Sequence, residues 1–369
     1  MSEEQNQRSG LNVRAVLQLL VLLAMLIALF ALYQGHGDSE PRQYADQENI
    51  GSTVRAFDGD NIQISPDGEW LAFLRGQRFR RDIWIAPREN ASDAHALGLA
   101  DEQGVLSFQW ALEGTRILFR RPFNVATQIY VVDVEAAQIA PLNALEDTVV
   151  GEVTLSPSHP NEMLVRMGPS PGNELDLYRA NVLTGELQLV EARGAVDEYY
   201  ADQDFIVLAG RTLNPRGITI HARRETGWEE VLFVKRDLGD RAGVLFLSGG
   251  GNQMYVLDDE NRDTIALSSI DLGTGERRII AATESGDVAE VLRDPVSFDI
   301  FAYAVETDGL VWHALDQAYA ADIAQLNDVG GATPHVISQS LDNQFWIIES
   351  GPAFYLFDRN QDTITQITS

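Results

Sequence analysis

The sequence predicts an all-β fold, a seven-bladed β-propeller preceded by one N-terminal transmembrane helix. Three observations predict it. A pattern of short strands and tight turns recurs about every 46 residues. A run of nineteen residues near the amino end is almost wholly apolar. The chain of 369 residues has no cysteine, so its elements must be held by packing alone and not by disulfides or thiolate metal sites.

The apolar run comes first. Ala15 to Tyr33 reads AVLQLLVLLAMLIALFALY, with Gln18 as its polar interruption. As a helix it is roughly 28 Å long, close to the ~30 Å hydrocarbon thickness of a bilayer. A cleaved signal peptide is the competing reading, because Arg8 and Arg14 precede the run. Against it, the run exceeds a usual signal core and is followed by Gly35-His36-Gly37 rather than a clear small-x-small cleavage site. The expected organisation is a cytoplasmic tail at 1–14, a transmembrane helix at 15–33, a tether at 34–43 and the propeller at 44–369. The arginines before the span orient the N-terminus inside, at the inner (cytoplasmic) membrane, with the propeller in the periplasm or outside.

The repeat has two parts. In the clearest copy of the first, NIQISPDGEWLAFLR (Asn61 to Arg75), Pro66-Asp67-Gly68 supplies a turn and Ile62, Ile64, Trp70 and Ala72 alternate as in half-buried strands. The second part is another hairpin, in Gln128 to Leu142, Asp176 to Val190 and Ile265 to Ile280. Thr184-Gly185-Glu186 and Thr274-Gly275-Glu276 turn the chain in two of these copies. Four strands per unit follow. The first strands are expected near Ile64, Gln109, Leu155, Phe205, Leu247, Ser297 and Gln339, which gives seven units. A four-stranded sheet cannot bury both faces alone, so the units must stack around an axis. One segment breaks the pattern: Leu310 to Asp328 is Ala-rich and spaces its apolar residues helically, so a helical insert is expected over 310–328, with Asp322 spoiling its apolar face.

Charge excludes a general attraction to nucleic acid. With 27 Lys plus Arg against 55 Asp plus Glu, the formal charge is −28. Lys235 is the single lysine. The pairs Arg80-Arg81, Arg120-Arg121, Arg223-Arg224 and Arg277-Arg278 lie far apart among apolar residues and read as strand ends or internal ion pairs.

Catalytic chemistry is not legible. Ser248, Ser285 and Ser350 each have glycine on one side only, whereas a nucleophile elbow needs G-x-S-x-G on a strand-to-helix turn. His36, His95, His159, His221, His313 and His335 show no metal-ligand spacing, though His313 and His335 flank the insert. Asp258-Asp259-Glu260 lacks the alternation of a calcium loop, and Gly249-Gly250-Gly251 and Gly330-Gly331 lack the features of a phosphate cradle. No catalytic, cofactor-binding or metal residue is assigned, and no cofactor is implied.

The ordered strings NIQISPDGEWLAFLR, DIWIAP, FQWALEGTRILFRR, QIYVVDVE, LSPSHPNEMLVRM, DLYRANVLTGELQLV, IDLGTGERRII, WHALDQAYAADIAQLN and FYLFDRNQDTITQIT carry a further signal. Together they resemble the N-terminal β-propeller of prolyl-oligopeptidase-type (S9) serine peptidases, the dipeptidyl aminopeptidase and acylaminoacyl-peptidase group. In that family the propeller caps a C-terminal α/β-hydrolase domain and limits access to short peptides. None of the family's catalytic residues has a counterpart before Ser369, and no adjacent Glu pair stands on the insert; Glu229-Glu230 reads as strand. The resemblance therefore implies a non-catalytic, membrane-anchored, substrate-gating propeller, half of a split or truncated peptidase, with an α/β-hydrolase encoded separately, peptides or envelope proteins, and the lipid bilayer as partners. The alternative is a Tol-like periplasmic propeller that binds proteins or peptides.

Overall fold

In the computed structural model, the described residues are 60–367 apart from 78–79, 100–103, 124–125, 137–138, 142–148, 169–174, 195, 236–242 and 331. The tail, membrane helix and tether expected over 1–43 lie outside them. Among the described residues no helix is long and apolar enough to cross a membrane.

Seven antiparallel sheets follow one another along the chain, at 60–96, 107–141, 149–191, 198–235, 243–281, 287–314 and 334–366. Each is a simple meander, because adjacent antiparallel strands need only a short turn between them. These are the blades of a propeller, numbered 1 to 7 in chain order. The first strand of each blade is its inner strand: Asp60–Ile64, Ser107–Trp110, Val149–Leu155, Glu198–Ala201, Gly243–Leu247, Asp287–Arg293 and Pro334–Gln339. Seven apolar clusters among the described residues lie between neighbouring blades, including one that joins blade 7 to blade 1. Fully buried Phe73, Phe119, Trp346 and Phe357 belong to them. Removing such a side chain from water contributes roughly 1.5–3 kcal/mol, which is why sheets that are marginal singly are stable as a ring.

The turn from first to second strand is built alike in every blade. A Ser, Asp or Ala opens it, and its carbonyl accepts the N–H three or four residues on: Ser65 from Gly68, Ala111 from Gly114, Ser156 from His159, Asp202 from Phe205, Ser248 from Gly251, Asp294 from Phe298 and Ser340 from Asn343. In all but blade 3 the residue at that corner is left-handed. Gly68, Gly114 and Gly251 take φ between 72° and 89°, Asn343 takes 57°, and Phe205 and Phe298 take 62° and 63°. Two of the expected strand centres, Phe205 and Ser297, therefore fall in these turns and not in strands. Their apolar neighbours suggest strand, but the left-handed corner interrupts the extended backbone.

The arginine pairs fasten blades together. Arg81 Nη2 donates to Leu106 O and Arg121 Nη2 to Leu99 O across the boundary of blades 1 and 2. Arg120 reaches Gly151 O of blade 3, Arg223 pairs with Glu191 of blade 3, and Arg224 donates to Leu272 O of blade 5. Arg277 instead forks onto buried Asp258 within its own blade.

Blade 6 departs from the expected four strands, having three. The helical insert is shorter than 310–328: Leu310–Ala314 is the third strand, and a 3-10 turn at Gln317–Tyr319 leads into helix α1, Ala320–Asn327. Leu310 and Trp312 alternate inward with a strand period, which overrides the helical spacing. The helix stands where a fourth strand would pair. Asn327 Oδ1 accepts from Trp312 N at 2.9 Å and Asn327 Nδ2 donates to Trp312 O at 2.9 Å, so one amide satisfies both backbone groups. Asp322 is a tie and not a flaw in the apolar face: Arg359 of blade 7 donates to it from Nε and Nη2 at 2.9 and 2.7 Å.

Candidate functional site

A ring of sheets leaves a space on its axis, and the inner strands line it. One cavity of about 500 Å³ is bounded by Gln63, Gln109, Thr154, Arg293, Ser338 and other residues of blades 1, 2, 3, 6 and 7. A second, of about 240 Å³, continues it past Glu152, Glu198, Tyr200, Leu245 and Phe246 of blades 3, 4 and 5. Thr154, Leu155, Arg293 and Phe298 line both. A cavity of this size suits a small ligand.

Inner strands aim their side chains through irregularities. Six of the seven pair with their second strands through a register shift, and blade 6 has two, the later one between Leu292 and Arg293. Phe246 also stands at such a shift, between Val244 and Phe246. Bulges of this kind bend a strand and redirect the residue beside them. They bring Arg293 against two rings, its Cζ 4.1 Å from the centroid of Phe246 and 4.1 Å from that of Phe298. Burial pulls the Arg293 guanidinium down to about 10, which leaves it charged at neutral pH. Burial and the neighbouring Glu198 push the Tyr200 hydroxyl up, so it remains a protonated donor.

One end of the channel is closed in by the first turns. Their second residues include Pro66, Leu112, Pro157, Pro295 and Leu341, an apolar rim on the larger cavity. Gln203 of blade 4 occupies the same turn position and ties the neighbours together. Its backbone carbonyl accepts from Ser156 Oγ of blade 3 at 2.5 Å, and its side-chain amide donates to Val296 O of blade 6. Blade 5 must pass beneath with a glycine, since a Cβ on Gly249 would lie 2.5 Å from Ser297 O.

Among the described residues, none of the serines, histidines and paired glutamates considered from sequence lines these two cavities; His36 lies outside the described residues. Ser248 Oγ caps its own turn through Gln253 N, and Ser350 Oγ donates to Val329 O and Ala332 O, as structural hydroxyls do. His313 stacks on Tyr303 with centroids 5.2 Å apart, while His335 pairs with Glu290 at 2.6 Å, so the two do not meet. Glu229 and Glu230 are on the exposed outer strand of blade 4, where Glu229 pairs with Arg224. Arg293 escapes sequence reading because its setting is nonlocal: the ring of Phe246 comes from another blade.

No family model matches the chain. A curated protein, dipeptidyl aminopeptidase BIII of Pseudoxanthomonas mexicana, is 28% identical over 321 residues, covering 84% of this chain and 46% of that protein. The chain thus spans about half the length of the curated relative it matches. A solved prolyl endopeptidase superposes with a TM-score of 0.57 at 11% identity, over 83% of this chain and 49% of that one. This chain resembles the propeller of prolyl-oligopeptidase-type serine peptidases. A puromycin-hydrolyzing peptidase of Mycobacterium tuberculosis shares the fold at a TM-score of 0.54 and 13% identity, over 85% of this chain and 54% of that one.

Proposed function

We propose that this propeller is the non-catalytic, peptide-admitting part of a serine peptidase of this type, held at the membrane by 15–33 and working with an α/β-hydrolase supplied by the same or another chain. The observation that carries the reading is the 28% identity to a dipeptidyl aminopeptidase, which runs through 84% of the chain. The physical support is the axial cavity, large enough for a short peptide and narrowed by the turn rim at one end. A hydrolase nucleophile needs a strained strand-to-helix turn; Ser248 opens a β-turn, Ser285 lies in a bend between two strands and Ser350 ends a strand.

The test isolates the full chain from native membranes and treats it with a serine-directed fluorophosphonate. A co-isolated hydrolase that takes the label, with none on residues 1–369, is the expected result. Label on these residues, or peptide cleavage by the chain alone, would overturn the non-catalytic reading. Recovery with envelope proteins and no hydrolase would instead make it a binding module of the Tol-like kind. Retention in the membrane fraction at alkaline pH is expected of the anchor; release would remove it.

A further inference from the structure

We infer that the axial channel is a carboxylate receptor, in which Arg293 takes the anionic end of a monocarboxylate borne on an apolar body. The inference goes beyond the peptidase reading and does not depend on it.

Arg293 differs from its counterparts in what it lacks. Most ring-stacked arginines in this molecule have an anionic or carbonyl partner: Arg179 holds Glu162, Arg223 holds Glu191, Arg359 holds Asp322, and Arg88 donates to Gly68 O. The Arg293 guanidinium has no ion pair and no hydrogen bond among the described residues. The two carboxylates lining the same space are already engaged, Glu152 by Arg166 at 3.2 Å and Glu198 by Arg211. A half-buried cation without a counter-ion is costly to keep, and a ligand that supplies the missing charge recovers part of that cost on binding.

Its position is also enforced. Phe298 accepts a left-handed backbone at φ 63°, which blades 1, 2 and 5 assign to glycine, and its ring packs on Arg293. Left-handed geometry is unfavourable for a bulky side chain and persists where the surroundings impose it. With the Phe246 and Phe298 rings each 4.1 Å from its Cζ, the guanidinium still donates through N–H groups that lie in its own plane, a fork that matches a carboxylate bidentately.

The lining completes the match. Around Arg293 stand Leu155, Leu245, Leu247 and the Pro/Leu rim, so a ligand's body meets apolar surface while its charge meets the guanidinium. The net charge of −28 opposes multiply charged phosphates and weighs least on a monoanion.

The experiment is calorimetric titration of the full chain with acetyl-Ala-Leu, its C-terminal amide, and 4-methylpentanoate. The free carboxylates are expected to bind, and the amide to bind about tenfold more weakly or worse. Arg293→Met is expected to lose the same factor while melting no lower than the parent, because it removes an unpaired, partly desolvated charge. Arg293→Lys, which keeps the charge and loses the fork, should fall between them. Preference for the dipeptide over 4-methylpentanoate identifies a peptide terminus as the source; equal binding identifies free organic acids. Equal binding of the amide, or an unchanged affinity in both Arg293 variants, would overturn the proposal.

Discussion

At the corner between the first two strands, the same backbone problem is solved by different residues. Glycine serves three blades, Asn343 one, and phenylalanine two. Each phenylalanine carries a cation on its ring: Arg293 at 4.1 Å on Phe298, and Arg179 at 5.2 Å on Phe205. The Pro66-Asp67-Gly68 turn is legible in the sequence because its chemistry is local, whereas Phe205 and Phe298 read as strand because nothing local marks their φ. The turn at Asp271 offers a residue-scale prediction. Hydrogen bonds from Thr274 N and Oγ1 and from Gly273 N hold the Asp271 carboxyl below the usual carboxylate range. A depressed acid contributes stability above its unfolded pKa of about 4 and loses it as pH falls through the folded value. In blade 3 the neutral Asn181 accepts from Leu183 N and Thr184 N in the same geometry. Asp271→Asn should therefore fold normally, melt slightly below the parent at pH 7, and show a gap that narrows as pH falls below about 4. A gap that stays unchanged as the pH is lowered would count against this account.

Among elements, blade 6 shows where periodicity misleads. The segment 310–328 carries a helical pattern over most of its length, yet its first five residues are strand, since Trp312 buries its ring toward blade 7 and its Nε1 donates to Pro334 O. The chain turns helical beyond them because Ala-rich sequence favours it and Asp316 caps the first turn through Ala318 N. Asp322 reads as a fault in an amphipathic face; its partner Arg359 lies 37 positions on, beyond the reach of local pattern. Asn327→Ala leaves both backbone groups of Trp312 unpaired in a buried setting, and is expected to cost about 1–3 kcal/mol in urea denaturation. Asn327→Asp should recover only part, since a carboxylate accepts from the N–H but repels the carbonyl. No loss on alanine substitution would show that water or neighbouring groups replace the amide.

For the molecule as a whole, the closing of the ring is the feature that sequence leaves open. Among the described residues, all four strands of blade 7 come from 334–366 and all four of blade 1 from 60–96, with no strand exchanged between the two blades. The seam is packed instead. Ile62, Phe73, Phe345 and Ile347 form one cluster, Leu341 N donates to Pro66 O at 2.8 Å, and Arg88 lies 3.9 Å from the Phe345 ring centroid. Gly68 makes a close approach across it: a Cβ there would meet Phe345 Cδ2 at 2.6 Å, and its φ is 77°. Gly68→Ala is expected to destabilise by about 2 kcal/mol or more, and limited proteolysis should then open the chain first in blade 1 or blade 7. Uniform digestion across the blades would show that the seam is not the weak point. The seven-fold repeat is legible because each blade repeats the same alternation; the channel is not, because its unpaired cation gains meaning only when blades 5 and 6 meet. The amide of Asn327 has a last effect at this scale. Every other blade ends outward in a strand whose outer backbone groups can recruit another chain. In blade 6, among the described residues, a helix covers that side, so this sector of the circumference resists strand-by-strand aggregation and is the surface on which a neighbour would have to be recognised by its side chains.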